Sequence, residues 1–206
     1  MKLGNEEKVD LIKQKIISII RHSVEDRTRQ HSRNTEFQLA EPNRNYKLGQ
    51  VLGGWMSLIM VSGEFLRITL KLHFNLAEVK LVAYRAYGKN TPEELSDKRA
   101  IDFIKELCNL SAGQLVTIFE ENNLPTGMSL PLSSRGFYDI FADYTPAVQP
   151  FIRFGDLWSV KCESCTINMT SVIEILDADA ISSILSYEIA STAANDEDKD
   201  EEIDFL

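Results

Sequence analysis

Two side chains near the middle of the chain have the types and spacing for water-directed chemistry, Glu106 and Asn109. A carboxylate and a carboxamide three residues apart are neighbours on a helix surface. The carboxamide both donates and accepts hydrogen bonds, so it can orient a water molecule without acting as a strong base. On a wheel of about 100° per residue, Ile104, Leu107, Cys108, Ser111, Leu115 and Ile118 share one side of the stretch 101–122. Asp102, Glu106, Asn109 and Gly113 share the other. The pattern predicts an amphipathic helix whose polar face looks outward, and Gly113 removes a side chain that would hold another protein at a distance. Spacing alone carries little weight, because Glu120 and Asn123 repeat it at the end of the same helix.

The elements around that helix follow from periodicity. Val9, Ile12, Ile16, Ile19 and Ile20 recur at three and four, with Glu6, Glu7 and Asp10 near the start, so a helix is predicted through residue 24. Residues 25–47 lose the periodicity and are interrupted by Pro42, which predicts a long polar connection. From 48 to 190 a single α+β domain is expected. Trp55 to Val61 reads as a strand, Ser62-Gly63 as a hairpin turn, and Leu66, Ile68, Leu70, Leu72 and Phe74 alternate with polar residues as a second strand with one wet face.

Leu76, Val79, Ala83 and Ala86 return to helical spacing, and Gly88 stands where a C-cap belongs. Thr91-Pro92-Glu93-Glu94, Ser96 or Asp97 can start the central helix, which Pro125 and Gly127 bring to an end. Short strands are predicted at 128–132 and 136–141, a turn-prone region at 143–150, and two longer strands around Trp158 and Ile173. Asp177 to Asp179 would cap a last helix containing Ile181, Ile184, Leu185 and Ile189, and 191–206 reads as an acidic tail without fixed structure. The fold class is α+β, a largely antiparallel sheet with long helices packed on it, without internal repeat or extended βαβ alternation.

Composition narrows the function classes. The formal charge is −9, but the seven acids between Asp196 and Asp204, with Lys199, place −6 of it in the tail. The rest is near balance and carries no footprint for nucleic acid, although Arg21, Arg27, Arg29, Arg33, Arg44 and Lys47 make a mildly basic run. The N-terminus lacks a signal-peptide pattern, and the most apolar run, Val51 to Val61, has about half the length needed to cross a bilayer. A cytoplasmic protein with reduced thiols is expected, since three cysteines make no disulfide framework. Cys162-Glu163-Ser164-Cys165 has the spacing of a zinc half-site or redox pair, but its only companions are Cys108, His22, His31 and His73, so small side chains packed in a hairpin explain it as well. Arg135 and Arg153 are isolated candidates for anions, and neither a hydrolase triad nor a glycine-rich nucleotide loop is present.

The wider text carries a resemblance. Ser62-Gly63, the helix closing at Gly88, Glu93-Glu94, the run Glu106-Leu107-Cys108-Asn109-Leu110-Ser111-Ala112-Gly113 and then Ser129-Leu130-Pro131 match in order and spacing the CheC/CheX/FliY family of chemotaxis phosphatases. The agreement spans roughly 55–131 and continues more loosely to 176. CheC and FliY carry two Glu-x-x-Asn sites, whereas the N-terminal helix here has none, so the chain is similar to CheX.

The resemblance implies a CheC/CheX-like fold and a phosphatase of an aspartyl-phosphorylated, CheY-like receiver domain. Asn109 would position the attacking water, and Glu106 would engage a lysine of the partner. Asp102, Leu110 and Gly113 would touch the partner, which would bring its own Mg2+, the chain having no cofactor of its own. A homodimer is also implied. Flagellar switch proteins use a related domain for assembly, so a non-catalytic binding module of the same fold is the alternative. The tail from Asp200 to Leu206 resembles the acidic, apolar-tipped CheY-binding peptide of switch proteins and the tail of single-stranded-DNA-binding protein; it would act as a tether or as a solubilising segment.

Overall fold

The computed structural model of the chain describes residues 5–41, 53–136 and 152–189. The elements are α1 (Asn5–Ser32), β1 (Gln38–Ala40), β2 (Trp55–Gly63), β3 (Leu66–Phe74), α2 (Leu76–Ala86), α3 (Asp97–Glu121), β4 (Thr126–Met128), β5 (Leu132–Arg135), β6 (Ile152–Lys161) and β7 (Thr166–Ile175). Short 3-10 turns cover Pro92–Glu94 and Ala180–Ser186. The strands form one antiparallel sheet in the order β1-β6-β7-β3-β2-β4, with β5 also on β2. The α+β class expected from the sequence is the one observed.

The helices cover one face of this sheet because every second residue of the central strands is apolar. Leu66, Ile68, Leu70, Leu72 and Phe74 of β3 are buried with Ile167, Met169, Ile173 and Ile175 of β7 and Trp158 and Val160 of β6. Against them lie Ile12, Ile16, Ile19, Ile20 and Val24 of α1 and the stripe Phe103, Ile104, Leu107, Cys108, Leu115 and Phe119 of α3. Each large apolar side chain so buried contributes roughly 1.5–3 kcal/mol. The opposite face is not simply wet, because Lys71 and His73 of β3 are 7% and 2% exposed.

The boundary expected at residue 24 moves to Ser32, and β1 lies within the segment expected to be a connection. The apolar stripe of α1 continues as small polar residues that satisfy themselves inside the helix. Thr28 Oγ1 donates to Val24 O at 2.6 Å and Ser32 Oγ to Thr28 O at 2.6 Å, both buried. Arg29 pairs with Glu25 one turn earlier and caps Phe37 O at 2.7 Å, beside a fully buried Phe37 ring. Arg21 secures the other side of α1. Its guanidinium forks onto Asp156 of β6 with two bonds of 2.7 Å and reaches Glu41 at 2.6 Å.

Smaller differences have local causes. Ser62 stays in the ladder opposite Arg67, so the hairpin turns two residues later, at Glu64-Phe65. The strand expected at 128–132 is split. β4 pairs with Val61 to Gly63 and β5 with Trp55 to Leu58, leaving three residues, Ser129-Leu130-Pro131, opposite two, Ile59-Met60. That is a one-residue bulge around a proline that cannot donate. The last helix shrinks to a 3-10 turn that ends before Ile189. The expected strand 136–141, the turn-prone region and the tail lie outside the described residues, apart from Gly136.

At Gly63 a Cβ would collide with Pro125 O and lie 2.9 Å from the Thr126 side chain, because the chain leaving α3 crosses this strand end closely. Gly63→Ala is expected to lower stability by about 1–3 kcal/mol, as overpacking does. An unchanged midpoint in urea denaturation would show that the two strands part without cost.

Candidate functional site

α3 starts at Ser96, whose hydroxyl accepts the Arg99 N–H at 3.3 Å, with Asp97 in the first turn. Its buried side holds Ala100, Phe103, Ile104, Leu107, Cys108, Ser111, Ala112, Leu115, Ile118 and Phe119. The opposite side is therefore held outward. There Glu106 is exposed, and Asp102, Asn109, Leu110 and Gly113 are half-buried. Asn109 Nδ2 donates to Glu106 Oε2 at 3.3 Å, a long bond that aligns the carboxamide without consuming its oxygen.

Two further helix ends frame this pair. Tyr87 caps the C-terminus of α2, followed by Gly88 at φ +62° as the sequence predicts. The Arg99 guanidinium lies 5.3 Å from the Tyr87 ring. Burial, and then the charges of Asp102 and Glu106, push the Tyr87 phenol upward against the opposing pull of Arg99, so it stays neutral. On the other flank His31, near the end of α1, stacks on Phe103 with centroids 4.2 Å apart. Its Nε2–H donates to Phe103 O at 3.1 Å, because a carbonyl can only accept. Burial lowers its pKa, outweighing the backbone bond and the attraction of Glu106. Sequence reading placed His31 in a loop and considered it only for metal. Its contact with α3 joins residues 72 apart in sequence, which no local pattern encodes.

Beside Asn109 an open groove of about 540 Å³ is lined by Arg27 of α1, by Leu110, Gly113, Gln114, Thr117 and Ile118 of α3, and by Met128 of β4. A Cβ at Gly113 would meet nothing within 4 Å, so packing does not demand the glycine. The repeated spacing at Glu120 and Asn123 has a different purpose. Asn123 sits at φ +60°, while the N–H of Leu124 reaches Phe119 O at 2.9 Å and that of Asn123 reaches Glu120 O at 3.0 Å. Asn123 thus ends the helix in the left-handed conformation that asparagine tolerates.

The other chemical candidates disperse. Cys162 and Cys165 close the β6–β7 turn through Cys162 N–H to Cys165 O at 2.9 Å; both are free thiols, and burial pushes the Cys165 thiol strongly upward. Among the described residues no three His, Cys, Asp or Glu side chains are grouped to hold a metal ion. Arg153 sits 3.8 Å from Glu174, which also pairs with Arg67, while Arg135 ends β5. No described helix is long and apolar enough to cross a membrane.

No family model matches this sequence, and no curated protein matches it. Known structures do match. A CheC-like superfamily protein from Shewanella sp. PV-4 superposes with a TM-score of 0.59 at 18% identity, covering 78% of this chain and 97% of that one. The chain has the CheC/CheX fold. A CheX–CheY–BeF3–Mg2+ complex from Borrelia burgdorferi matches with a TM-score of 0.57 at 11% identity, covering 77% and 97% of the two chains. A chain of the FliM–SpeE complex from Helicobacter pylori gives 0.52 at 11%, covering 89% and 96%. The family resemblance read from the residues is thus met at the level of fold, and in the CheC/CheX fold of this chain Glu106 and Asn109 stand together on an outward helix face.

Two outcomes follow from this geometry. Gly113→Ala should raise stability by about 0.5–1 kcal/mol in chemical denaturation, the ordinary gain for alanine in a helix interior. A loss would mean that the glycine is needed for packing after all. His31 titrates below its unfolded value, so the unfolded chain binds its proton more readily and stability is lost as pH falls below about 6.5. Its share of the slope cannot exceed about 1.4 kcal/mol per pH unit. His31→Gln should flatten the decline between pH 7 and 5, and equal slopes in both proteins would assign the decline elsewhere.

Proposed function

We propose that this chain is a phosphatase of an aspartyl-phosphorylated, CheY-like receiver domain, with α3 as the surface that enters the partner's site. The observation that carries this is the adjacency of Glu106 and Asn109 on the outward face of α3, next to a glycine that packing does not require. The CheC/CheX fold supports it, as does the occurrence of a similar chain in a CheX–CheY–BeF3–Mg2+ complex, since beryllofluoride on a carboxylate mimics a phosphoryl group.

The chemistry asks little of the added protein. Water attacks phosphorus in line, the P–O bond to the aspartyl carboxylate breaks, and the carboxylate leaves with the bonding electrons. The partner's Mg2+ and cations would neutralise the phosphoryl oxygens. Asn109 accepts a hydrogen bond from the attacking water through Oδ1 and holds it on the reaction axis; it takes no proton, which passes to phosphate or solvent. Glu106 pairs with an ammonium group of the partner and, through its bond to Asn109 Nδ2, also sets the carboxamide plane. Asp102, Leu110 and Gly113 complete the contact surface.

Phosphate loss from acyl-phosphorylated receiver domains, followed with magnesium, tests the assignment. The intact chain should accelerate it about 100-fold, which requires ~2.7 kcal/mol of transition-state stabilisation. Asn109→Ala should return kcat close to the spontaneous rate, whereas Glu106→Ala should mainly raise KM, by about tenfold. Full activity in Asn109→Ala would remove the water-positioning role. No acceleration with any receiver of the same genome would leave a binding module, the role suggested by the likeness to a chain of the FliM–SpeE complex.

A further inference from the structure

The arginines of α1 are used in different ways. Arg21 spends its charge on Asp156 and Glu41, and Arg29 on Glu25. Arg27 has no such partner among the described residues. Its Nε donates to Gln114 Oε1 at 2.9 Å and its Nη1 to Gln30 Oε1 at 2.8 Å, both neutral carboxamides. The guanidinium is thus held at two nitrogens, and no carboxylate among the described residues pairs with its charge. Ordering so long a side chain costs rotamer entropy, and three of its five N–H donors remain for an anion.

Its location gives that capacity a use. Arg27 lines the groove that also contains Asn109, Leu110 and Gly113, and Ile118 and Met128 add apolar side chains to its lining. Gln114, which holds Arg27, lies five residues beyond Asn109 on α3. That is about 7.5 Å further along the helix axis and well round its surface. The guanidinium held by Gln114 is therefore tied to α3 more than one turn beyond Asn109.

We infer that Arg27 is a docking residue of the same surface, pairing with a carboxylate on the receiver partner outside its phosphorylation site. This rests on the receiver-directed function proposed above. Glu106 then takes a cation of the partner and Arg27 an anion, at opposite sides of Asn109. Two charges of opposite sign fix the rotation of the partner on α3, which a single charge cannot do, because a turned partner would bring like charges together. Leu110, Gly113 and Met128 accommodate an aliphatic side chain beside that carboxylate.

The test uses the full chain and purified receiver domains of the same genome, loaded with beryllofluoride and Mg2+. Affinity is titrated at about 50 and 300 mM NaCl, where the screening length differs about 2.4-fold. Arg27→Ala should weaken binding about tenfold at low salt and less at high salt, with kcat at saturating phosphorylated receiver within twofold of the intact chain. Arg27→Lys should recover part of the affinity, and Arg27→Glu should bind more weakly than Arg27→Ala. A purely structural role at the α1–α3 contact would weaken all three variants with no dependence on sign or salt, and that result overturns the inference. Equal affinity of Arg27→Ala and the intact chain also overturns it, as does a loss confined to kcat, which would put Arg27 at the phosphoryl group. If the intact chain binds no receiver, the proposed function itself fails, and this inference falls with it.

Discussion

The site depends on the burial of one side of α3. Ten of its residues, from Ala100 to Phe119, face α1 and the sheet. Turning the helix by one residue would carry Leu107, Leu115 and Phe119 toward water at roughly 1.5–3 kcal/mol each. The burial of that side therefore sets the direction in which Glu106 and Asn109 point. This suits a positioning site, where a displacement of about 1 Å can cost a hundredfold in rate. The Ser96 cap contributes at the start of the helix, and Asn123 in its left-handed conformation at the end.

The way α3 ends also builds the groove. Because Asn123 turns the chain sharply, Leu124 is buried, Pro125 crosses the glycine at the end of β2, and β4 pairs with Val61 to Gly63. Met128 is thereby brought beside Leu110 and Ile118. The bulge at Ser129-Leu130-Pro131 then lets the chain rejoin β2 as β5. Ser129 bridges the break, its N–H bonding Met60 O at 2.8 Å and its hydroxyl accepting the Met60 N–H at 3.0 Å. A helix cap and a strand bulge therefore shape a surface that local periodicity describes only as loop and short strand.

What was legible in the sequence follows from how far each interaction reaches. The outward face of α3, the cap at Gly88, the β2–β3 hairpin and the α+β class all rest on periods of two or 3.6 residues and on turn chemistry, which are local. The extension of α1 was hidden because Thr28 and Ser32 occupy its buried stripe, and a pattern search for apolar residues passes over hydroxyls that bond back within the helix. His31 and Arg27 were lost with it, since both meet α3 only once that last stretch is helical. The duplicate Glu-x-x-Asn shows the opposite error: the same two residue types, at the same spacing, form a helix terminus because the backbone there has left the helix.

A carboxamide as the central group also limits what the site can be. Asn109 has no useful basicity, so any rate enhancement must come from holding water against an electrophile that is already activated by other groups. The site as proposed would be completed by its partner, so geometry at the interface would matter as much as the carboxamide itself. In the proposed function, side chains such as Glu106 and Arg27 would act by fixing the partner's orientation rather than by chemistry. The same logic explains how one fold can serve both catalysis and assembly. In the proposed function, exchanging the carboxamide would remove the water contact while leaving the buried stripe and the groove intact, so binding would survive where turnover would not. Under the proposed function, the boundary between an enzyme and a docking module would be a single side chain on a helix whose orientation is set from the other side.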